Sequence, residues 1–247
     1  MRKLLKGVTL GLAVVCSLSS FVACGKKGMD ATTLLAATDT IKVAENEVNF
    51  TEAVTSQLFK DSYAVAEAGF AVSYTVKGDD PTCDWICSGG LYVELDDFEV
   101  DVNDDGETDG NLWHNIVVYQ DPKQSVKDAN ACLHIIESGV YSVRTRNEGA
   151  EYVTTMPFSV AYNPIDVVIA YYNEAYYVML DRTFKVKLTA ETTFDQTNKT
   201  QYLKEFFAPR TRKLGLRSTN AETTFTNISV NIGDEAALDA IKDMGLN

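Results

Sequence analysis

The chain has 247 residues, with 35 acidic against 22 basic side chains and a formal net charge of −13. Such a surface repels phosphate, which excludes nucleic acid as a partner and disfavours direct contact with anionic lipid headgroups. The length is enough for one large domain with a sizeable core.

The first element is a targeting signal. Arg2, Lys3 and Lys6 give a positive start, an apolar run follows from Val8 to Phe21, and Ala23 supplies a small-residue exit. The run is shorter than the ~20 apolar residues of a membrane-spanning helix and reads as a secretory signal. Phe21-Val22-Ala23-Cys24, followed by Gly25, Lys26 and Lys27, resembles a bacterial lipobox. The resemblance implies cleavage before Cys24, lipidation of its sulfur, and residence on the extracytoplasmic face of a cell membrane, touched through the lipid anchor only. More than one acyl chain holds a protein there stably. Residues 1–23 are therefore read as the signal peptide, 24–38 as the lipidated Cys24 with a tether, and 39–247 as one domain. An exported chain can oxidise a pair among Cys83, Cys87 and Cys132; Cys83 with Cys87 and Cys87 with Cys132 are both open. One isolated pair without nearby histidines is no zinc signature.

Within the domain, Ile41 to Phe50 is strand-like. Phe70, Val72, Tyr74 and Val76 alternate as a core strand that Gly78-Asp-Asp-Pro81 ends. Leu91, Val93 and Leu95 share a face with Phe98, Val100 and Val102 only if a β-bulge absorbs one residue near Asp96 and Asp97. Trp113 to Tyr119 is a strand, Gln124 to Ile136 a short helix or loop, and 139–145 and 152–162 are strand-like. Residues 166–188 form a three-stranded meander with polar turns at Asn173-Glu174 and Asp181-Arg182. Arg182 is a poor residue for a positive φ. Residues 194–212 are a connection. Residues 213–230, with Ser218 to Glu222 as a polar turn, read as a hairpin. Residues 234–245 read as a helix, with Asp234 as N-cap, Leu238 and Ile241 on one face, and Gly245 as its stop.

The meander and the passage Gly215-Leu-Arg-Ser218 with Phe225, Asn227, Ile228 and Val230 resemble the closing strands of concanavalin A-like lectin/glucanase domains, laminin-G-like ones included. The resemblance implies an all-β jelly-roll sandwich, here with a short C-terminal helix, and a carbohydrate-binding, non-catalytic role; a structural or protein-binding surface domain with no sugar site is an alternative reading.

Three residue groups are candidates for chemistry. Asp101, Asn103, Asp105, Glu107 and Asp109 alternate oxygen ligands around Gly106, a spacing suited to calcium, which takes roughly six to eight oxygens; a solvated turn has the same composition. Glu94, Asp96 and Glu99 have a spacing that resembles the catalytic carboxylates of laminarinase- and lichenase-type glycoside hydrolases. That resemblance implies retaining hydrolysis by Glu94 and Glu99, whereas an acidic solvent face of a strand explains the same residues. Among the aromatics, Trp85, Trp113, Tyr172 and Tyr176 are expected to stack on sugar rings. In each of the pairs Tyr171-Tyr172 and Tyr176-Tyr177, one ring must point inward. His114 and His134 are expected to be structural. Arg144, Arg146, Arg210, Arg212 and Arg217 could bind acidic sugars but are read as solvated surface.

Overall fold

The computed structural model describes residues 28–78, 86–120, 132–138, 140–145, 164–182, 184–192, 196–197, 202–219 and 222–246. The elements run α1 (Ala31–Leu34), β1 (Ile41–Ala44), β2 (Glu47–Phe50), β3 (Ser56–Leu58), β4 (Val65–Ala66), β5 (Phe70–Gly78), β6 (Ile86–Glu99), β7 (Asn111–Gln120), β8 (Cys132–Glu137) and β9 (Val140–Thr145). They continue with β10 (Ile165–Tyr172), β11 (Ala175–Leu180), β12 (Phe184–Leu188), β13 (Gln196–Thr197), α2 (Leu203–Phe207), β14 (Arg212–Ser218), β15 (Thr223–Ile232) and α3 (Asp234–Met244).

Every strand pair is antiparallel. One sheet has the order β1-β2-β15-β5-β10-β11-β12 and the other β13-β9-β8-β7-β6-β14-β3, with β4 also on β14. This is the expected all-β jelly-roll sandwich with a short C-terminal helix. The inner faces meet in one core. Phe50, Phe70, Val72, Tyr74, Ile169 and Phe225 come from the first sheet, and Leu91, Val93, Ile116, Leu214 and Leu216 from the second. Leu91 N–H donates to Tyr74 Oη across that core (3.1 Å).

The closing strands depart from the hairpin reading. β14 pairs with β6 and β3, whereas β15 pairs with β2 and β5. The chain thus crosses from one sheet to the other between them, and each strand seals the interior of its own sheet. Both must bury a full face, which explains why Leu214, Leu216, Phe225, Ile228 and Val230 are all in the core. The single strand expected over 41–50 is two, β1 and β2, paired around Glu45 and Asn46. Part of the segment expected to be a helix or loop is β8. The residues 152–162 lie outside the described residues.

The meander holds, with β10 paired to β11 and β11 to β12. Both turns use positive φ at both residues: 48° and 61° at Asn173 and Glu174, 45° and 61° at Asp181 and Arg182. Two-residue turns of this hand match the twist of the strands they join. Asp181 Oδ1 accepts from Asp166 N–H at 2.8 Å, which fastens the turn containing Arg182.

The helix α3 lies on the outer face of the first sheet, where Ala240, Ile241 and Met244 pack on Ala71, Val168, Tyr177 and Met179. Gly245 ends it at φ 69°. Leu238 is 46% exposed and does not share the buried face of Ile241. The N-cap is Gly233, and Asp234 Oδ1 instead accepts from Gly69 N–H.

Residues 28–38 are not a free tether. Asp30 caps α1 by accepting from Thr32 N–H, and Ala31, Leu34 and Leu35 are buried in the main core. The packed body therefore begins about ten residues before residue 39. Cys24 and Cys83 lie outside the described residues. Cys87 and Cys132 are each in register with Tyr119, on opposite sides of β7. Two strand spacings separate their Cα atoms by about 10 Å, beyond the ~7 Å that a disulfide spans. That excludes direct pairing of Cys87 with Cys132. Among the described residues, no helix is long and apolar enough to cross a membrane.

Candidate functional site

The chemistry-bearing residues gather on the outer face of the second sheet. Alternation along β6, β7 and β14 decides which ones. Val93, His114 and Leu214 turn inward, so Tyr92, Glu94, Trp113, Lys213 and Arg217 turn outward. The register sets Lys213, Glu94 and Trp113 in one row across the three strands. Tyr92 and Trp113 rings lie 5.6 Å apart, and the Arg217 guanidinium lies 4.3 Å over the Trp113 ring.

The carboxylate of Glu94 is fully engaged. Tyr92 Oη donates to its Oε2 (3.0 Å), Asn111 Nδ2 donates to its Oε1 (3.1 Å), and Lys213 Nζ lies 3.7 Å from the same Oε1. Lys213 also pairs with Asp96, which holds its ammonium above the ordinary lysine range. Burial, with Glu94 second, pushes the Tyr92 phenol well above its usual value. The expected bulge is present and larger than one residue: Glu94 faces Trp113 and Glu99 faces Asn111, so five steps on β6 match two on β7. Glu99 and Asp96 are exposed. Glu94 is thus a hub of the sheet surface, tied to residues of β6, β7 and β14.

Beside Trp113, β6 leads into the loop at residues 101–109 and returns as β7. Val100 N–H to Gly110 O and Asp109 N–H to Val100 O close its base. A cleft of about 290 Å³ opens between this loop and the sheet. Its polar wall is Asn103, Asp109, Asn111, Ser138 and the indole of Trp113; Val100 and Val102 supply apolar surface. Ser138 fixes the backbone beneath Trp113, since its Oγ accepts from Trp113 N–H and its own N–H donates to Trp113 O.

The loop residues expected to bind calcium are held by bonds within the loop. Asp101 Oδ1 and Oδ2 accept from Asp105 N–H and Gly106 N–H, Asn103 Oδ1 from Asp105 N–H, and Asp105 Oδ1 from Glu107 N–H. Asp109 Oδ2 accepts from Val102 N–H. Among the described residues, no three His, Cys, Asp or Glu side chains gather where they could hold a metal ion.

The aromatic platform needs correction. Tyr176 is fully buried, its ring stacked 4.1 Å from Phe206, and its hydroxyl accepts from Arg212 Nε. It offers no face to a ligand, because alternation points it and Tyr171 inward and Tyr172 and Tyr177 outward. Tyr172 packs at the border of the α3 cluster on the other sheet, far from the Trp113 face. Trp85 lies outside the described residues. Among the described residues, Trp113 alone of the expected rings lines the cleft, and no local pattern linked Asn111 and Ser138 to it.

Arg212 is no surface residue either. It is 1% exposed, inside the sandwich, and donates to Phe206 O, Ala208 O and Arg210 O besides Tyr176 Oη, with its guanidinium 3.7 Å over the Tyr171 ring. His114 is also buried, against Phe206 at 4.5 Å. Burial, aided by Arg212, lowers its pKa to about 3.

No protein-family model matches the chain, and no curated protein matches it significantly. Solved structures do resemble it in shape. A carbohydrate-binding module from Bacillus subtilis aligns over 80% of this chain and 90% of its own, at 14% identity and a TM-score of 0.39. An alginate lyase from Pseudomonas aeruginosa aligns over 80% and 88%, at 9% identity and a TM-score of 0.44. A sialidase from Trypanosoma rangeli aligns over 84% of this chain and 29% of its own, at 12% identity and a TM-score of 0.42. Likenesses this distant carry no argument about ligand or activity.

Proposed function

We propose that this chain is a non-catalytic carbohydrate-binding protein, held outside the cell by a lipid on Cys24, with the Trp113 cleft as its ligand seat. One observation carries the reading: a half-buried indole borders a shallow cleft whose wall offers amides, a carboxylate and a hydroxyl. Sugars are bound by that combination, an aromatic surface for C–H faces and polar groups for hydroxyls. Fold alone would not support it. The carboxylates of Glu94 and Asp96 serve the sheet surface through Lys213, Asn111 and Tyr92, so the proposal assigns them no catalytic step. Calcium enters as an accessory ligand of Asp101, Asn103, Asp105, Glu107 and Asp109, supported by their residue types and spacing.

Affinity electrophoresis of the full secreted chain through gels holding single polysaccharides tests the seat. Retardation by at least one polysaccharide, weakened about tenfold or more in Trp113→Ala, is the expected result. Wild-type chain that runs unretarded through every gel, and binds nothing on a broad glycan array, would overturn the reading. Incorporation of labelled fatty acid, abolished in Cys24→Ala, is the matching test of the anchor.

A further inference from the structure

Four cations stand within eight residues on and before β14, and three are held by acceptors of the fold. Arg210 donates twice to Glu205 Oε2 and pairs with Asp97 at 3.3 Å. Arg212 is spent on Tyr176 Oη and three carbonyls inside the core. Lys213 holds Asp96 and Glu94. Arg217 differs. It is half-buried on the outer face, and its guanidinium lies over the Trp113 ring. Among the described residues, no carboxylate, carbonyl or hydroxyl accepts a hydrogen bond from it. Burial of the side chain lowers its pKa from the usual arginine value, the opposite of what an ion-pair partner does for Arg210.

Stacking occupies the flat face of a guanidinium and leaves its edge N–H donors unspent. Those donors form a rigid planar fork, which a carboxylate matches with two parallel hydrogen bonds. The ring beneath the fork is the same indole that borders the cleft; Arg217 stands beside the cleft rather than in its wall, and Trp113 is the side chain the two share. The net charge of −13 repels an acidic ligand at long range; a local contact of this kind must outweigh that repulsion.

We propose that Arg217 is the specificity-determining residue of the cleft and that its ligand is a uronic-acid polysaccharide, whose ring carboxylate takes the free fork. This deepens the reading of the Trp113 cleft as a sugar seat and rests on it. The guanidinium already covers one face of the indole, so the sugar meets the remaining surface of Trp113 and the Asn111 and Ser138 side of the cleft.

The test uses matched polymers on the full chain: polygalacturonate, alginate and hyaluronan, each beside its carboxyl-esterified form, with a neutral β-glucan and a sulfated, carboxyl-free galactan. Calorimetric titration is expected to show at least one free acid bound, its ester roughly 10- to 100-fold weaker. Arg217→Gln should lose that discrimination, and Arg217→Lys should recover only part of it, since the charge returns without the fork. Unchanged melting of both variants confirms that they fold. A wild-type chain that prefers the neutral glucan, the sulfated galactan or the ester overturns the inference while leaving the cleft as a sugar seat, provided Trp113→Ala abolishes that binding. Acid binding untouched by Arg217→Gln overturns the inference as well. No binding to any polymer overturns both readings.

Discussion

The two faces of the second sheet are built from the same three strands and do opposite work. Trp113 and His114 are consecutive on β7, as are Arg212 and Lys213 on β14, yet one of each pair lies inside the sandwich and the other outside. Inside, every guanidinium nitrogen of Arg212 meets a carbonyl or a hydroxyl, because an arginine shut away from water must satisfy its N–H groups locally. Outside, Arg217 lies on an indole, and among the described residues no acceptor takes its fork. The same residue type thus serves as a structural bolt on one face and as a recognition group on the other, and burial decides between them.

The largest effects should come from the inner face. Replacing Arg212 by Met strands the carbonyls of Phe206, Ala208 and Arg210, and should cost about 3–5 kcal/mol in denaturant unfolding. Arg217→Gln, on the outer face, should cost less than about 1 kcal/mol. Equal losses would erase the contrast.

Acid sharpens it further. The His114 pKa falls from 6.5 to about 3 in the fold, and neither ring nitrogen has a hydrogen-bond partner among the described residues. Between those values the unfolded chain binds a proton that the folded chain refuses. Stability should therefore be lost as the pH drops below 6.5, at up to about 1.4 kcal/mol per pH unit. His114→Phe should remove that share of the slope, measured as the difference between wild-type and variant unfolding curves at matched pH. Removal of the outer-face hydroxyl by Tyr92→Phe deletes one bond to Glu94 and should cost roughly 0.5–1.5 kcal/mol. Smallest is calcium: millimolar calcium against a chelator should raise the melting temperature by a few degrees through the loop at 101–109, and an unchanged midpoint would remove that ion from the account.

Much of the sandwich was legible in the sequence because alternation is a local signal. The meander, the core strand from Phe70 and the C-terminal helix all announce themselves within their own residues. Sheet membership is not local. The polar turn at 218–222 looks the same whether it folds a hairpin or carries the chain from one sheet to the other, and only the partners of β14 and β15 decide. The same limit explains Tyr176: alternation sends one of Tyr176 and Tyr177 inward but does not say which, and the decision rests on Arg212 and Phe206, which are distant in sequence. The cleft joins Asn103 and Trp113, which were each singled out, to Ser138 from a turn beyond β8 that no local pattern connects to them. The fold of residues 28–38 escaped because a composition of small and polar residues conceals Leu34 and Leu35, whose burial depends on the core that receives them.

The chain has two tryptophans, so Trp85→Phe leaves Trp113 as the sole indole reporter. Titrating that variant with a polysaccharide that binds the wild type, and following fluorescence beside calorimetry, tests the seat directly. A saturable change in Trp113 emission that tracks the calorimetric isotherm is the predicted result. Full binding heat with no change in emission would place the ligand elsewhere and contradict the account.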